Sequence, residues 1–493
     1  MRKSALAALA ALVAVAVVGG AIAAATPGRQ TGPSSSQSPY LVPSQPGVVT
    51  RSVLTVGDSV NTKPNSTAPY RMVGIPDGLG AFDNGDGTFT LLMNHELQSS
   101  NPPVGVNRAH GAKGAFVSKW TIKKGNLQVL HGEDLIQQVV TWNPTTTPPS
   151  YNAPASGASG VLIGRLCSAD LPARSAFYNS ATGKGFDGRI FMNGEEIGND
   201  GRAFAHLLDG TSYELPYLGK FSWENSVASP STGDRTVVVG LDDSTPGQVY
   251  VYVGSKQSEG SPIVRAGLSG GKLYGVKVPD VSTESGPVNS TFSLEAVGPA
   301  GPSEGYVQNL TGRQLQDASV TDGITEFLRP EDGAWDPDRP TDFYFATTNN
   351  FTSPSRLYRL RFTDIGNPTA GGTITAVLDG TEGQKMLDNL TVDDGRVLLQ
   401  EDPGNQPYVA RIWAYTIATD TLTEIAEHDP ARFEPGVASP LLTQDEESSG
   451  IIPAPFLGNG KYLLDVQAHY RTDDELVEGG QLLQLHIPPG KFK

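Results

Sequence analysis

The sequence of 493 residues contains a single cysteine, Cys167, so no disulfide can form within the chain. Positive charge is also scarce, because 36 Lys and Arg residues stand against 52 Asp and Glu residues and leave a formal net charge of -16. This balance argues against nucleic acid and against an anionic membrane as binding partners. We therefore expect stability to come from packing and from bound cations rather than from covalent cross-links.

Long apolar runs are missing after the N-terminus. Met1-Arg2-Lys3 precedes an Ala- and Val-rich stretch that reaches about Ala25, which is typical of a secretory signal peptide. We interpret residues 1–26 as that signal, with an uncleaved anchor as the alternative. No later stretch could cross a bilayer, so we expect a secreted or cell-surface monomer without a membrane span after signal removal. Residues 27–50 are rich in Ser, Pro and Gln and predict a disordered linker.

Convincing amphipathic helices are nearly absent, whereas strands with alternating apolar and polar residues are common. An acidic opener, a short strand, a turn and a stronger strand recur in segments 331–362, 388–416 and 447–487. Three earlier segments follow the plan with more variation: 77–122, 167–208 and 224–253. Six units of this size cannot bury their own faces. The sequence therefore predicts an all-β fold, a six-bladed β-propeller over residues 51–493 with loop insertions, the largest near 280–325.

Acidic or amide residues begin one strand and end the next in most of these units. The pairs are Asp77 with Glu96, Cys167 with Glu195 and Glu196, Glu224 with Asp242 and Asp243, Glu331 with Asn349, Asp388 with Glu401 and Asp402, and Glu447 with Gln467 and His469. In an antiparallel hairpin the start of one strand lies beside the end of the next. A radial arrangement would bring all the pairs to one face, where carboxylates could stay ionised only with cations among them.

The types of residue suggest two kinds of metal site. Calcium suits sites with many oxygen ligands, here Asp242, Asp243, Asp388, Asn389, Glu401 and Asp402. A thiolate favours a transition metal, so a mixed site would contain Cys167, Glu195, Glu196, Glu224 and Glu331. The structural alternatives are a buried, unreactive cysteine and Asp-Asp pairs that only form turns.

Arg329 lies two residues before Glu331, which places both side chains on one face of an extended segment. Its guanidinium could clamp a phosphate or pair with a carboxylate at the rim. His95, Arg108 and His110 flank a loop that could approach the same face, although single histidines are more often structural. The chain has no H-E-x-x-H, P-loop or Rossmann motif, which leaves metal chemistry as the main enzymatic option.

The motifs around these candidates resemble those of the PhoX-type alkaline phosphatases, a family of secreted, metal-dependent six-bladed propellers. The resemblance covers most of the chain from about residue 50 onward. It is carried by Asn94-His95-Glu96, Gly194-Glu195-Glu196, Arg329-Pro330-Glu331-Asp332-Gly333-Ala334-Trp335, Asp388-Asn389-Leu390-Thr391-Val392-Asp393, Gln400-Glu401-Asp402-Pro403-Gly404 and Leu464-Asp465-Val466-Gln467-Ala468-His469. The segment that begins at Arg329 is the most specific of these.

The resemblance implies a phosphomonoesterase that uses Fe³⁺ and Ca²⁺ and acts on a small phosphorylated substrate. It implies that Cys167, Glu224 and Glu331 hold iron, and that Arg329 contacts the phosphate. Further ligands of calcium or iron would be Glu195, Glu196, Asp242, Asp243 and Glu401. The chain departs from the family pattern at three places: Ser168-Ala169-Asp170-Leu171-Pro172 replaces a Gly-rich stretch, Trp223 replaces a histidine, and Arg2-Lys3 is not a twin-arginine signal.

The leading hypothesis is a secreted phosphatase that hydrolyses phosphate monoesters at a polynuclear iron and calcium centre at one end of the channel, with Arg329 and Glu331 as catalytic residues. Its metal ligands would also include Glu96, Asp388 and Asp402. One alternative is a calcium-dependent propeller hydrolase that acts on lactones or phosphodiesters and needs no thiolate. The other is a non-enzymatic binding propeller that calcium only stabilises.

Overall fold

Six β-sheet blades surround one channel, with blades 3 and 4 continuous as one sheet, and the predicted six-bladed propeller is confirmed. The computed structural model describes residues 28–298 and 307–492. The predicted signal peptide lies outside these described residues. Within them, no helix is both long enough and apolar enough to span a membrane.

Each blade contains four main strands, numbered here from the channel outward. They are, in blade 1, Pro76–Asp83, Thr88–His95, Phe116–Lys123 and Val129–Asp134; in blade 2, Ile190–Gly194, Ala203–Leu207, Thr211–Glu214 and Gln138–Val140; in blade 3, Trp223–Ala228, Arg235–Asp242, Gly247–Ser255 and Lys272–Lys277; in blade 4, Pro330–Trp335, Asp342–Thr347, Arg356–Phe362 and Gly372–Leu378; in blade 5, Leu387–Asp393, Arg396–Glu401, Arg411–Thr416 and Thr421–His428; and in blade 6, Glu446–Pro453, Lys461–Arg471, Glu478–His486 and Val49–Thr55.

Blade 2 differs from the others at the channel. Its first regular strand pairs with the irregular segment 166–170 through isolated bridges, Leu166 to Glu195 and Asp170 to Met192. This segment therefore takes the place of an innermost strand and carries Cys167 into the channel wall. Gly78 of blade 1 contacts the backbone of Ser168 so closely that a Cβ at this glycine would lie 2.6 Å from the Ser168 carbonyl carbon.

The predicted linker is wrong for residues 28–50, which pack on the propeller. Strand Arg29–Thr31 pairs with Val49–Thr55 of blade 6, and strand Leu41–Pro43 pairs with Thr421–His428 of blade 5. The reason lies in a few apolar side chains within a polar stretch, since Tyr40 and Leu41 are buried in the core. Average composition does not reveal such isolated anchors.

The region near 280–325 joins blades 3 and 4 at their outer edges. Strand Asn289–Ala296 pairs with Lys272–Lys277 on one side and with Gly372–Leu378 on the other. Helix Gly312–Thr321 begins at a capping box in which Thr311 and Gln314 exchange hydrogen bonds. The remaining α-helices are Pro262–Arg265 and Pro430–Phe433, and the remaining strands are Ser59–Thr62, Pro69–Arg71, Trp142–Asn143, Ser150–Tyr151, Tyr178–Asn179, Lys184–Gly185 and Glu326–Phe327. Short 3-10 helices lie at Gly157–Ser159, Arg174–Ala176, Pro216–Leu218, Val307–Asn309, Pro368–Ala370 and Pro455–Leu457.

The core lies between the faces of neighbouring blades. Val237, Val239 and Val251 of blade 3 pack with Phe343 and Phe345 of blade 4 in one buried cluster. β-Branched and aromatic side chains fit this pleated, fully covered surface, and their alternation along each strand supplies both faces of every blade.

The strand Val49–Thr55 closes the ring, because it pairs with the last strand of the chain, Glu478–His486, in antiparallel register. Leu54 is fully buried in this strand. Leu54→Ala should lower the free energy of unfolding by about 2–5 kcal/mol, as is usual for a deleted core leucine. Urea unfolding measures the loss. Val437→Ala is the control, since Val437 is 57% exposed, and equal stability of both variants would contradict the closure.

Candidate metal centre

One end of each inner hairpin reaches the same mouth of the channel. In the ladder registers Asp77 lies opposite Asn94, and Glu447 lies opposite Gln467. The other hairpins repeat this placement of opener and strand end, as shown by Trp223 opposite Asp242, Pro330 opposite Thr347, and Leu387 opposite Glu401. The antiparallel geometry expected from the sequence thus gathers acidic residues from all six blades.

Three overlapping clusters form a row across this mouth. They are Asp77, Glu96 and Cys167; Cys167, Glu196 and Glu224; and Glu224, Asp243 and Glu331. Within each cluster the potential ligand atoms lie within 4.8 Å of one another. Cys167 and Glu224 each belong to two clusters, so they join blades 1 to 4 into one continuous set of ligands.

Blades 5 and 6 complete the ring. Asp388, Asp402 and Glu447 lie close enough to interact electrostatically with one another. The Gln467 side chain links this side to blade 1, because its Nε2 donates to Asp77 Oδ2 at 2.9 Å and to Glu96 Oε2 at 2.8 Å. Carboxyl groups therefore lie around the whole circumference of the mouth.

Burial and mutual repulsion shape the protonation of these groups. Burial, with the nearby Asp388 and Glu331 charges, raises the pKa of Glu224 well above its usual value. Burial likewise raises the pKa of Glu331 and Glu447. The Cys167 thiol pKa is also raised, first by burial and then by Asp77. A cation in the mouth would reverse this trend and favour the ionised forms.

Several buried polar atoms of the mouth have no hydrogen-bond partner among the described residues. They include Glu331 Oε2, Asp388 Oδ1 and Gln467 Oε1. Such atoms cost free energy unless something compensates them. A cation with oxygen ligands would do so, and the thiol of Cys167 suits a softer metal. The donor set thus fits bound metal ions.

Arg329 lies at one end of the row. Its backbone has φ 64°, an uncommon conformation for a residue other than glycine. Its Nε donates to Asp243 Oδ1 at 2.6 Å and lies 3.1 Å from Glu331 Oε1. The carboxylate of Glu331, despite the opposing effect of burial, raises the Arg329 pKa, so this guanidinium is always charged. The ion pair considered from the sequence is therefore present, at a position that also faces the ligand row.

Only one member of each doubled acidic pair joins the ring, namely Glu196, Asp243 and Asp402. The other members have structural partners. Glu195 pairs with Arg202 at 2.6 Å, Asp242 accepts from Ser244 at 2.8 Å, and Glu401 accepts from Trp413 Nε1 at 2.8 Å. The physical reason is the alternation of extended chain, in which successive side chains point to opposite sides.

Three residues that could approach the same face according to the sequence do not join the ring. They are His95, Arg108 and His110. His95 stacks on Phe116 with ring centroids 4.3 Å apart, and its Nε2 is 2.8 Å from Ser118 Oγ. Burial lowers its pKa to about 3, so it is neutral. The guanidinium carbon of Arg108 lies 3.8 Å from the centroid of the Phe116 ring, and His110 is fully buried. Asn349, at the end of the blade 4 hairpin, accepts from Asn350 instead.

A layer of polar side chains forms the floor of the mouth. Ser168 Oγ donates to Glu224 Oε1 at 2.6 Å and accepts from Asn389, while Gly450 N–H donates to the Asn389 side chain. Beneath this layer, Asn225 donates to Asp332 at 2.6 Å. A separate channel cavity of about 400 Å³ begins below and includes Asp170 and Trp335 in its lining.

Two contributors escaped the sequence analysis, Arg165 and Ser168. Arg165 Nε donates to Glu96 Oε1 at 2.6 Å, and its Nη2 lies 2.8 Å from Glu196 Oε2. Its position two residues before Cys167 was a usable signal, because residues i and i+2 of an extended segment share a face. The contact of Ser168 with Glu224 joins residues far apart in the chain and had no such signal.

A family model described as alkaline phosphatase PhoX matches residues 209–379 of the chain. The structure of Pseudomonas fluorescens PhoX in complex with vanadate, a transition state analogue, has a TM-score of 0.65 at 13% identity and covers 90% of this chain and 95% of that chain. The resemblance to the PhoX family is confirmed. Among curated proteins no match is found.

Likenesses outside the PhoX family are weaker. The PQQ-bound aldose sugar dehydrogenase of Streptomyces coelicolor has a TM-score of 0.36 at 12% identity and covers 90% of this chain and 99% of that chain. The periplasmic gluconolactonase PpgL of Pseudomonas aeruginosa has a TM-score of 0.33 at 12% identity, with 76% and 95% covered. Likenesses at these TM-scores carry no functional argument.

The buried carboxyls make stability depend on pH. Burial raises the pKa of Asp170, which is outside the ring, to about 7. The contribution of Asp170 to the free energy of unfolding is fully present below the ordinary aspartate pKa near 4. It is lost as pH rises toward 7, because the folded chain then still holds a proton that the unfolded chain has released. In Asp170→Asn, the free energy of unfolding should fall less steeply with pH, by up to about 1.4 kcal/mol per pH unit.

Urea unfolding at pH 4.5 to 7, in constant excess calcium, measures the effect. Asp83→Asn is the matched control, since Asp83 is exposed and its hydrogen bonds from Lys124 and Gly85 lower its pKa. Identical pH slopes for wild type and Asp170→Asn would contradict a carboxyl that stays protonated in the folded chain.

Proposed function

We propose that the protein is a secreted phosphatase that hydrolyses phosphate monoesters at a polynuclear iron and calcium centre in the mouth of the propeller. The observation that carries this proposal is the continuous row of ligand atoms from Asp77 to Glu331, with Cys167 inside it and Arg329 at its end. The match to the PhoX family model over residues 209–379 supports the same chemistry.

The residues divide into three groups in this proposal. Cys167, Glu224 and Glu331 would hold iron, and carboxylates around them would hold calcium. The nearest of these are Asp77, Glu96, Glu196, Asp243, Asp388, Asp402 and Glu447. Bound cations would neutralise the phosphoryl oxygens and activate water for attack. The residues Glu195, Asp242 and Glu401 orient neighbouring backbone and side chains instead, as their hydrogen bonds indicate.

Arg329 is the group best placed to meet the substrate. Its guanidinium is held by Asp243 and Glu331, so its donors are oriented before a phosphate arrives. Charge that builds on the phosphoryl oxygens during P–O cleavage would be stabilised by this fixed cation. Because the alignment is already made, little reorganisation is needed at the moment of reaction.

Removal of the guanidinium tests the proposed role of Arg329. Arg329→Gln should lower kcat/KM for an aryl phosphate by about 100-fold or more, as is typical for loss of one transition-state donor. Steady-state release of phosphate measures it, and melting temperature verifies folding. Arg313→Gln is the control, because Arg313 is 76% exposed and pairs with its helix neighbour Asp317. Unchanged kcat/KM in Arg329→Gln would contradict the proposed role of Arg329.

The role of Cys167 is tested by metal content. Cys167→Ser should lose bound iron, since a hydroxyl is a poor ligand for this metal compared with a thiolate, and should retain calcium. Elemental analysis and turnover of an aryl phosphate are measured on the same preparation. Retained activity with calcium alone would favour a calcium-dependent hydrolase of lactones or phosphodiesters. Calcium without any turnover in the wild type would favour a binding propeller.

A further inference from the structure

We propose that Arg165 is a second anion-recognition group, so that the site selects ligands with a second negative group besides the phosphate. The proposal rests on the phosphatase function for its substrate class, but its binding test does not need turnover. It assigns a specificity role to a residue that lies two positions before Cys167, directly before the irregular segment 166–170 that lines the channel.

The position of Arg165 is fixed by two blades. Its Nε donates to Glu96 Oε1 at 2.6 Å, and Nη2 also contacts Glu96. The same Nη2 lies 2.8 Å from Glu196 Oε2. Glu96 follows the second strand of blade 1, and Glu196 follows the first regular strand of blade 2. The guanidinium is therefore oriented by the same carboxylates that form the ligand row.

The two guanidiniums that contact the row are more exposed to solvent than their carboxylate partners. The side chain of Arg165 is 37% exposed and that of Arg329 is 27% exposed. Their carboxylate partners are much less accessible, at 3% for Glu96, 9% for Glu196 and 0% for Glu331. An anion that approaches from solvent therefore meets the arginines first. The carboxylates alone would repel it.

The arginines serve opposite ends of the row. Arg165 contacts Glu96 of the first cluster and Glu196 of the middle one, and Arg329 contacts Asp243 and Glu331 of the last. The first and the last cluster share no residue, and the cluster that contains Glu196 lies between them. One phosphate group held near Arg329 therefore leaves Arg165 available for a second negative group on the same ligand, either a carboxylate or another phosphoryl group. Arginine matches both through paired N–H donors.

Calorimetry with two phosphonates tests this assignment on the metal-loaded protein. Methylphosphonate carries one anionic group, and phosphonoacetate adds a carboxylate. We expect Arg165→Gln to weaken phosphonoacetate binding by about 10-fold or more beyond any change for methylphosphonate, the range of one charge-assisted hydrogen bond. Methylenediphosphonate provides the arm in which the second group is a phosphoryl. Arg174→Gln is the matched control, because Arg174 is 56% exposed and lies 3.5 Å from Asp187.

A purely structural Arg165 gives a different result. Loss of its contacts to Glu96 and Glu196 would change metal content and weaken all three ligands by the same factor, and that outcome overturns the proposal. Arg165→Lys separates charge from geometry and should recover part of the preference. Elemental analysis of each variant accompanies the titrations. Absence of any preference of the wild type for the ligands with two anionic groups also overturns it.

Turnover distinguishes failure of this inference from failure of the proposed function. Phenyl phosphate and 4-carboxyphenyl phosphate differ by one carboxylate in the leaving group. A higher wild-type kcat/KM for the carboxylated ester, with that ratio reduced in Arg165→Gln, supports the inference. Turnover of both esters with an unchanged ratio overturns the inference and leaves the phosphatase standing. Selective phosphonate binding without turnover does the reverse.

Discussion

Crowding of like charges at one end of the channel is the constraint on which the rest of the structure depends. Carboxylates from six blades meet there, and burial raises the pKa of Glu224, Glu331 and Glu447. Taking such groups out of water costs free energy that only opposite charge or hydrogen bonds offset. The protein supplies part of this through Arg165, Arg329 and Gln467, and unpartnered oxygens mark where cations would supply the remainder.

The propeller makes this crowding possible because its stability comes from the packing between neighbouring blades. Each blade buries both faces against its neighbours, as the valine and phenylalanine cluster between blades 3 and 4 shows. Closure through strand Val49–Thr55 completes the circle and places blade 6 beside blade 1. This contact brings Glu447 and Gln467 next to Asp77 and Glu96.

In each pair of adjacent acidic residues, only one side chain faces the ligand row. Glu196 joins the ligand row, whereas Glu195 pairs with Arg202 and holds backbone in place. The same division separates Asp243 from Asp242. Because adjacent side chains of an extended segment point to opposite sides, each acidic doublet supplies one ligand candidate and one structural anchor. The doublets therefore combine the binding of ions with the rigidity that holds them.

The sequence by itself determined the fold class, since repeated hairpins with acidic ends permit few arrangements other than a propeller. It also placed Cys167, Glu224, Glu331 and Arg329 at one mouth, because antiparallel pairing fixes which strand ends meet. Tertiary structure alone decided which acid of each doublet faces inward, that residues 28–50 belong to blades 5 and 6, and that Ser168 contacts Glu224. These outcomes depend on contacts between residues distant in the chain, which local alternation and composition do not encode.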